Sequence, residues 1–234
     1  MGIIEQNIHT VEEKVAVAAK KCGKKREDIL LLAVSKTQTV ETIRQAVACG
    51  LNSLGENKVQ EIMDKYEPVG EGVHWHLIGH LQTNKVKYII DKVEMIHSVE
   101  SLKLAHEIEK RAAAKGLVMD VLVEVNIGEE KSKFGIVPQN TEAFLREIAK
   151  LPHLCVRGLM TVAPFVENAE DNREYFRQMK QLQVDINEKK IDNIKMDVLS
   201  MGMTGDYQVA IEEGATIVRV GTGIFGERDY TKLA

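Results

Sequence analysis

The sequence contains few cysteines, prolines and aromatic residues. Its three cysteines, Cys22, Cys49 and Cys155, lie far apart. An odd number of distant cysteines excludes the disulfide framework of a small secreted domain and indicates reduced thiols. The four prolines lie in predicted connections, and no linker or low-complexity run interrupts the chain. We therefore expect a single domain over residues 1–234.

The sequence also lacks a strong charge imbalance and a long apolar run. The formal net charge of -4 argues against nucleic acid as the main partner. The longest apolar run is far shorter than a membrane span, so we expect no membrane association. The first residues lack the basic start and apolar centre of a signal peptide, which favours a cytoplasmic protein. With 44% hydrophobic and 28% charged residues, the composition is that of an ordinary globular domain.

The most informative stretch is the apolar run over residues 29–34, which ends on Ser35 and Lys36. Such a run predicts a buried strand, on which Leu32, Val34 and Lys36 share one face. If that face lines a closed interior, the Lys36 amine stands at the rim of an apolar pocket. Burial disfavours the ammonium form of a lysine, and the neutral amine forms imines with aldehydes. The same stretch also fits a strand-end lysine that extends into water.

Strand-like and helix-like segments alternate along the whole chain. The predicted strands cover residues 29–36, 51–55, 74–79, 93–97, 117–126, 154–160, 196–200 and 216–220. Alternation of this kind implies a parallel sheet, because parallel neighbours need a crossover connection. Eight such units predict an α/β fold: a single (β/α)8 TIM barrel with an extra N-terminal helix over about residues 3–22. The competing fold is an open, doubly wound sheet.

The C-terminal ends of barrel strands converge on one site. After the seventh and eighth predicted strands, residues 200–205 and 221–223 are rich in small and hydroxyl side chains. Such strand ends offer backbone N–H groups to an anion, and these two loops are where barrels commonly bind phosphate. Together they predict a phosphate site, although each alone would also fit an ordinary turn.

Arg219 interrupts an otherwise apolar eighth strand. A buried arginine needs a hydrogen-bond acceptor or a counter-charge. The structural interpretation is a salt bridge inside the barrel, for instance with Glu124. The functional interpretation is a donor to a ring atom or an oxygen of a ligand.

Three histidines lie close together in the sequence, at His74, His76 and His80. No carboxylate or cysteine near them completes a recognisable zinc spacing, so we expect packing and hydrogen-bonding roles and no metal site. Cys155 has no adjacent base, which argues against a nucleophilic role.

Several motifs together resemble those of the pyridoxal phosphate homeostasis proteins. They are Ala-Val-Ser-Lys at residues 33–36, Gly-Glu-Asn at 55–57, the run at 76–85, Gly-Leu-Met at 158–160, Leu-Ser-Met-Gly-Met at 199–203 and Arg-Val-Gly-Thr at 219–222. The resemblance covers essentially the whole chain and keeps the order of the motifs. It implies a barrel like the N-terminal domain of alanine racemase, with pyridoxal 5'-phosphate held as an imine on Lys36.

The resemblance also implies the cofactor-binding residues. The phosphate would be surrounded by Ser200, Gly202, Thr204, Gly221 and Thr222. Arg219 would face the pyridine nitrogen, while Asn57, Met160 and the strand end at residues 76–79 would line the rest of the pocket. Thr204 stands where the family often has serine and keeps a hydroxyl group. No residue is assigned a catalytic role.

The family is regarded as carriers or regulators of the vitamin B6 pool. The resemblance therefore implies a non-enzymatic protein of pyridoxal phosphate homeostasis, a monomer whose partners are apo-enzymes that accept the cofactor. An arginine at the ring nitrogen is a poor proton source and leaves the ring a weak electron sink.

Two enzyme classes compete with the carrier interpretation. An amino-acid racemase shares the barrel and can also place arginine at the ring nitrogen. However, this chain ends shortly after its eighth predicted strand, so we expect no second, β-rich domain to supply the opposing acid. A class I aldolase would share the lysine and the phosphate site but explains Arg219 poorly.

Overall fold

The computed structural model describes residues 2–130 and 132–227, and its sheet is a closed parallel barrel. The strands are β1 Leu30–Val34, β2 Ser53–Glu56, β3 His74–Leu77, β4 Met95–Val99, β5 Met119–Glu124, β6 Leu154–Met160, β7 Ile194–Met203 and β8 Ile217–Val220. Each strand pairs in parallel with the next in sequence, and β8 pairs with β1. The predicted (β/α)8 barrel is confirmed, and the open sheet is wrong.

Helices connect the strands on the outside of the barrel. They are α1 Ile3–Lys21, α2 Val40–Ala48, α3 Val59–Val69, α4 Val86–Ile89, α5 Leu102–Lys115, α6 Thr141–Ile148, α7 Arg173–Glu188, α8 Tyr207–Glu212 and α9 Thr222–Phe225. Helix α1 precedes the first strand, which confirms the extra N-terminal helix. Its buried stripe includes Ile4, Ile8 and Val11, and it packs against α8 and α9. None of the helices in the described part of the chain is long and apolar enough to cross a membrane.

Local sequence signals set several helix ends. The Thr39 side chain accepts a hydrogen bond from the backbone N–H of Thr42 and caps α2. Ser101 caps α5 in the same way. The nearby Ser98 lies inside β4 and donates its hydroxyl to the Gly79 carbonyl at 2.7 Å.

Strand β7 is longer than predicted and continues to Met203. Gly202 makes this possible, because it has a φ of +90° and a Cβ there would lie 2.6 Å from the Ala210 Cβ. Only glycine lets the end of β7 approach α8 so closely. The loop after β7 therefore begins nearer to Thr204 than the sequence pattern indicated.

The barrel interior contains a small apolar layer and a set of buried polar groups. The apolar layer is formed by Leu32, Met95, Leu122, Met160, Val198 and Ile217. The polar groups that share this interior include His76, His97, Ser200 and Arg219. The larger apolar core lies between the sheet and the helices. A buried polar group must find hydrogen-bond partners, so these side chains constrain one another.

Gly158 gives a direct test of how tightly the sheet is packed. An ideal Cβ at this position would lie 1.8 Å from the carbonyl oxygen of Val198 on the neighbouring strand. We expect Gly158→Ala to lower the free energy of unfolding by about 3 kcal/mol or more, or to prevent folding. Urea unfolding measures the change.

Gly205→Ala is the matched control, because a Cβ at Gly205 meets nothing within 4 Å. Its free energy of unfolding should stay within about 0.5 kcal/mol of the wild-type value. Equal stability of the two variants would contradict the packing described here.

Candidate functional site

A cavity of about 530 Å³ lies at the C-terminal ends of the strands. Its wall combines the ends of β1, β2, β3, β7 and β8 with the segment that follows β6. The apolar part of the wall includes Val34, Ile78, Val162, Pro164 and Phe165. The size and the mixed lining are typical of a small-molecule site at the C-terminal face of a barrel.

Six of the nine residues predicted to bind a cofactor line this cavity. They are Lys36, Asn57, Thr204, Arg219, Gly221 and Thr222. Lys36 is half-buried and follows Val34 on the inward face of β1, which also carries Leu32. The structure thus places the lysine at the cavity wall, next to apolar side chains.

The other three predicted residues lie away from the wall. Met160 belongs to the apolar layer inside the barrel. Gly202 serves the close approach of β7 and α8. Ser200 is fully buried, and its hydroxyl contacts Arg219 and His97. In the described protein the Ser200 side chain points to Arg219, and its contact with a phosphate stays a prediction.

Thr204 ties the loops after β7 and β8 together. Its hydroxyl oxygen accepts hydrogen bonds from the backbone N–H groups of Gly221 at 3.2 Å and Gly223 at 3.3 Å. Asp206 fixes the same loop, because its carboxylate accepts from the Met203 N–H at 2.7 Å and from the Asn172 side-chain amide at 2.8 Å. These bonds hold the loops after β7 and β8 together at one end of the cavity.

Arg219 is a buried cation with neutral partners. It is 4% exposed and donates to the Ser200 hydroxyl at 2.7 Å and to the Thr161 carbonyl at 2.8 Å. Burial lowers the pKa of Arg219 to about 10, against the opposing charges of Glu124 and Asp206, so it stays protonated at neutral pH.

The salt bridge between Arg219 and Glu124 does not form. Within residues 2–130 and 132–227, no carboxylate oxygen lies within 4.0 Å of the Arg219 guanidinium. Burial raises the pKa of Glu124 to about 7, with the charge of Glu100 adding to the effect and that of Arg219 opposing it. A buried charge without a close counter-charge is costly, so the cavity favours a ligand that offers Arg219 an acceptor.

A chain of hydrogen bonds continues from Arg219 across the barrel interior. The Ser200 hydroxyl lies 3.1 Å from His97 Nδ1, and His97 Nε2 lies 3.0 Å from His76 Nδ1. The Ser200 oxygen accepts from Arg219, which can only donate, and we assign the Ser200 proton to His97 Nδ1. His97 then carries its own proton on Nε2 and donates it to His76. These tautomers are assigned from the network.

His76 and His97, the two histidines of this hydrogen-bond network, are neutral at physiological pH. Burial lowers the pKa of His76 to about 4. Burial also lowers the pKa of His97 well below its usual value, and the charges of His76 and Arg219 act in the same direction. His97 was missed by the sequence reasoning. The signal that could have found it is its alternation with Met95 along one face of β4.

Asn57 presents a buried polar atom to the site. Its side-chain oxygen has no hydrogen-bond partner in the described part of the protein. Gly79 lets the backbone of Asn57 lie close to the end of β3, because a Cβ at Gly79 would lie 2.5 Å from the backbone carbonyl oxygen of Asn57. Most buried polar groups are hydrogen-bonded, so an unsatisfied amide on a cavity wall indicates a ligand contact.

The outer histidines pair with carboxylates. His74 Nδ1 lies 2.6 Å from Glu94, and His80 Nδ1 lies 2.9 Å from Glu100. His80 also stacks on Phe134, with ring centroids 4.0 Å apart. In the residues that the structure describes, no group of three or more histidine, cysteine, aspartate or glutamate side chains could hold a metal ion.

The fold and the cavity define an alanine racemase-like barrel. The family described as alanine racemase, N-terminal domain, matches residues 7–229. An alanine racemase of Clostridium difficile has the same fold, with a TM-score of 0.72 at 16% identity over 95% of this chain and 57% of that chain.

Closer relatives identify the family within this class. A pyridoxal phosphate homeostasis protein of Aquifex aeolicus is 46% identical over 226 residues, which are 96% of this chain and 98% of that protein. The structure of PipY of Synechococcus elongatus with pyridoxal phosphate bound has a TM-score of 0.83 at 29% identity over 95% of this chain and all of that chain. The chain belongs to the pyridoxal phosphate homeostasis protein family.

The neutral histidine chain predicts a loss of stability in acid. The His76 pKa is about 4 in the folded protein and 6.5 in the unfolded chain, so the unfolded chain binds the proton first as the pH falls. Stability should therefore fall between pH 6.5 and pH 4, by at most about 3 kcal/mol for this group. His76→Gln, which cannot titrate, should lose less over the same range.

Urea unfolding at several pH values measures these slopes. His106→Gln, at an exposed position on α5, is the matched control and should follow the wild-type slope. If His76→Gln loses as much stability as the wild type between pH 6.5 and pH 4, His76 is not a neutral buried group.

Proposed function

We propose that this protein binds pyridoxal 5'-phosphate as an imine on Lys36 and serves vitamin B6 homeostasis. The observation that carries the proposal is the convergence of three chemistries on one cavity. They are the Lys36 amine, the hydroxyl and N–H groups of the loops after β7 and β8, and the buried Arg219 cation. The family relatives named for pyridoxal phosphate homeostasis, and the PipY structure with pyridoxal phosphate bound, support the choice of ligand.

The residues of the wall fit the parts of this cofactor. Thr204, Gly221 and Thr222 would hold the phosphate, and Arg219 would offer its guanidinium to the pyridine nitrogen. The unsatisfied side-chain oxygen of Asn57 would contact a polar substituent of the ring. When bound, the cofactor supplies an aldehyde for the lysine and an electron-withdrawing ring.

The lining of the cavity favours a carrier over an enzyme. Among the described lining residues, the titratable side chains are Lys36, Asp206 and Arg219. Both Asp206 oxygens accept hydrogen bonds within the protein, and Arg219 is charged at neutral pH. Racemisation needs an acid or base on each face of the substrate, and this lining offers Lys36 alone. Tyr207 is buried and does not line the cavity.

The proposal has further parts that follow from a carrier role. The protein would act as one domain over residues 1–234 and as a monomer in the cytoplasm. Its partners would be pyridoxal phosphate and the apo-enzymes that accept it. Phe165, which lines the cavity, is 95% exposed.

Replacement of Lys36 tests the covalent link. Lys36→Ala should keep the fold, because a rim lysine contributes little packing, and should lose the visible absorbance of the imine. Borohydride reduction followed by peptide mass spectrometry should locate the adduct on Lys36 in the wild type and find none in the variant.

Lys58→Ala is the matched control, because Lys58 is exposed and does not line the cavity. It should keep the wild-type absorbance and the adduct on Lys36. A reducible adduct at full occupancy in Lys36→Ala would assign the aldehyde to another lysine, with Lys58 and Lys85 as the next candidates.

The phosphate site predicts strong discrimination between two aldehydes. Pyridoxal lacks the phosphate, so it loses several charge-assisted hydrogen bonds worth about 1.5–3 kcal/mol each. Its affinity should be at least about 100-fold weaker than that of pyridoxal 5'-phosphate. Absorbance titrations measure the affinities for both aldehydes. Equal affinities would contradict the proposed phosphate site.

A further inference from the structure

A buried group of charged side chains lies directly behind Lys36. We name Glu56, Glu61 and Lys65 the Lys65 cluster. Lys65 Nζ donates to Glu56 Oε1 at 2.7 Å and to Glu61 Oε2 at 2.8 Å. Lys65 is 7% exposed and Glu56 is fully buried, between the end of β2 and helix α3.

Stability alone is a weak reason for this cluster. Buried ion pairs often contribute no more than apolar side chains of the same size, because both charges lose their hydration. Moreover, Glu56 Oε2 is buried without a hydrogen-bond partner among the described residues, which adds a cost. Local features that break the rules of stable packing tend to lie at functional sites.

The Lys65 cluster contacts the residues immediately before and after Lys36 in the sequence. Lys65 Nζ gives its third hydrogen bond to the Ser35 carbonyl at 2.9 Å. Glu56 Oε1 accepts from the Ser35 hydroxyl at 2.7 Å, and Glu61 Oε2 accepts from the Thr37 N–H at 2.7 Å. The residues immediately before and after Lys36 are therefore held by the same three side chains.

The Lys65 cluster supports an unusual backbone conformation at Thr37. Its φ is +66°, a left-handed conformation that a β-branched residue rarely adopts and that costs about 1–3 kcal/mol. The bond from Thr37 N–H to Glu61 supports this turn of the backbone directly after Lys36. The turn ends β1 and leaves Lys36 at the cavity wall.

We propose that Glu56, Glu61 and Lys65 are positioning residues for Lys36. They fix the backbone of residues 35–37 so that the Lys36 amine meets an aldehyde in the cavity; this rests on the function proposed above. In that reaction a C=N bond forms between Lys36 Nζ and the aldehyde carbon. Two hydrogens of the amine leave with the aldehyde oxygen as water, and no redox partner is needed. A preorganised nucleophile reacts faster without binding the ligand more tightly.

The test compares Lys65→Met with the wild type in the full chain. Stopped-flow absorbance gives the rate of imine formation with pyridoxal 5'-phosphate. Calorimetry gives the affinity for pyridoxine 5'-phosphate, an alcohol that cannot form an imine. We expect the rate to fall at least 10-fold while the affinity for the alcohol stays within twofold.

Three further variants complete the test. Lys150→Met removes an exposed lysine that pairs with Glu147 and should change neither value. Glu61→Leu, at a half-buried position, removes the acceptor of the Thr37 N–H. It should lower the rate of imine formation as Lys65→Met does. This variant keeps the test available if Lys65→Met fails to fold. Glu61→Gln keeps a carbonyl oxygen for the Thr37 N–H and should restore most of the rate.

A crystal structure of ligand-free Lys65→Met gives a readout that needs no cofactor. We expect residues 35–37 to move and Thr37 to leave its left-handed conformation. An unchanged backbone, an imine rate equal to that of the wild type, or a parallel loss of rate and alcohol affinity would each overturn the positioning role. If the wild type forms no imine on Lys36, the proposed function fails, while the backbone of the variant still decides the positioning role.

Discussion

The positive charge of Arg219 inside the barrel constrains the rest of the site. Burial favours an acceptor for each donor of this guanidinium, and in the described protein the Ser200 hydroxyl and the Thr161 carbonyl accept two of its hydrogen bonds. The Ser200 hydroxyl that accepts from Arg219 also contacts His97 Nδ1, which links the guanidinium to the buried histidines. Neither acceptor is charged, so the guanidinium lacks a close counter-charge in the described protein and favours an acceptor from a ligand.

The same arrangement explains why a cofactor site need not be a catalytic site. A guanidinium beside a pyridine nitrogen donates a hydrogen bond but gives up no proton, which leaves the ring a weak electron sink. Lys36 can form a covalent link on one side, while Asp206 is occupied in fixing the loop after β7. The Lys65 cluster then positions Lys36 to form an imine with the aldehyde. Covalent storage needs these features, and turnover of amino acids needs an additional acid.

The features of the site that depend on local pattern could be predicted from the sequence. The alternation along β1 placed Lys36 at the cavity, and the small residues after β7 and β8 indicated two loops that line it. Features that depend on contacts between distant segments could not. The contact of the Ser200 hydroxyl with Arg219 is an example, because it joins the end of β7, which continues to Met203, to β8. The role of Lys65 was hidden because the sequence shows an ordinary helix residue.

The proposed cavity holds pyridoxal 5'-phosphate without completing an acid–base pair across it. The most direct measurement incubates the loaded protein with several L-amino acids in D₂O and follows both α-deuterium uptake and formation of the D-isomer. We expect no racemisation at an ordinary enzymatic rate of about 1–10³ per second. Racemisation at such a rate that disappears in Lys36→Ala would contradict it and identify the protein as a racemase.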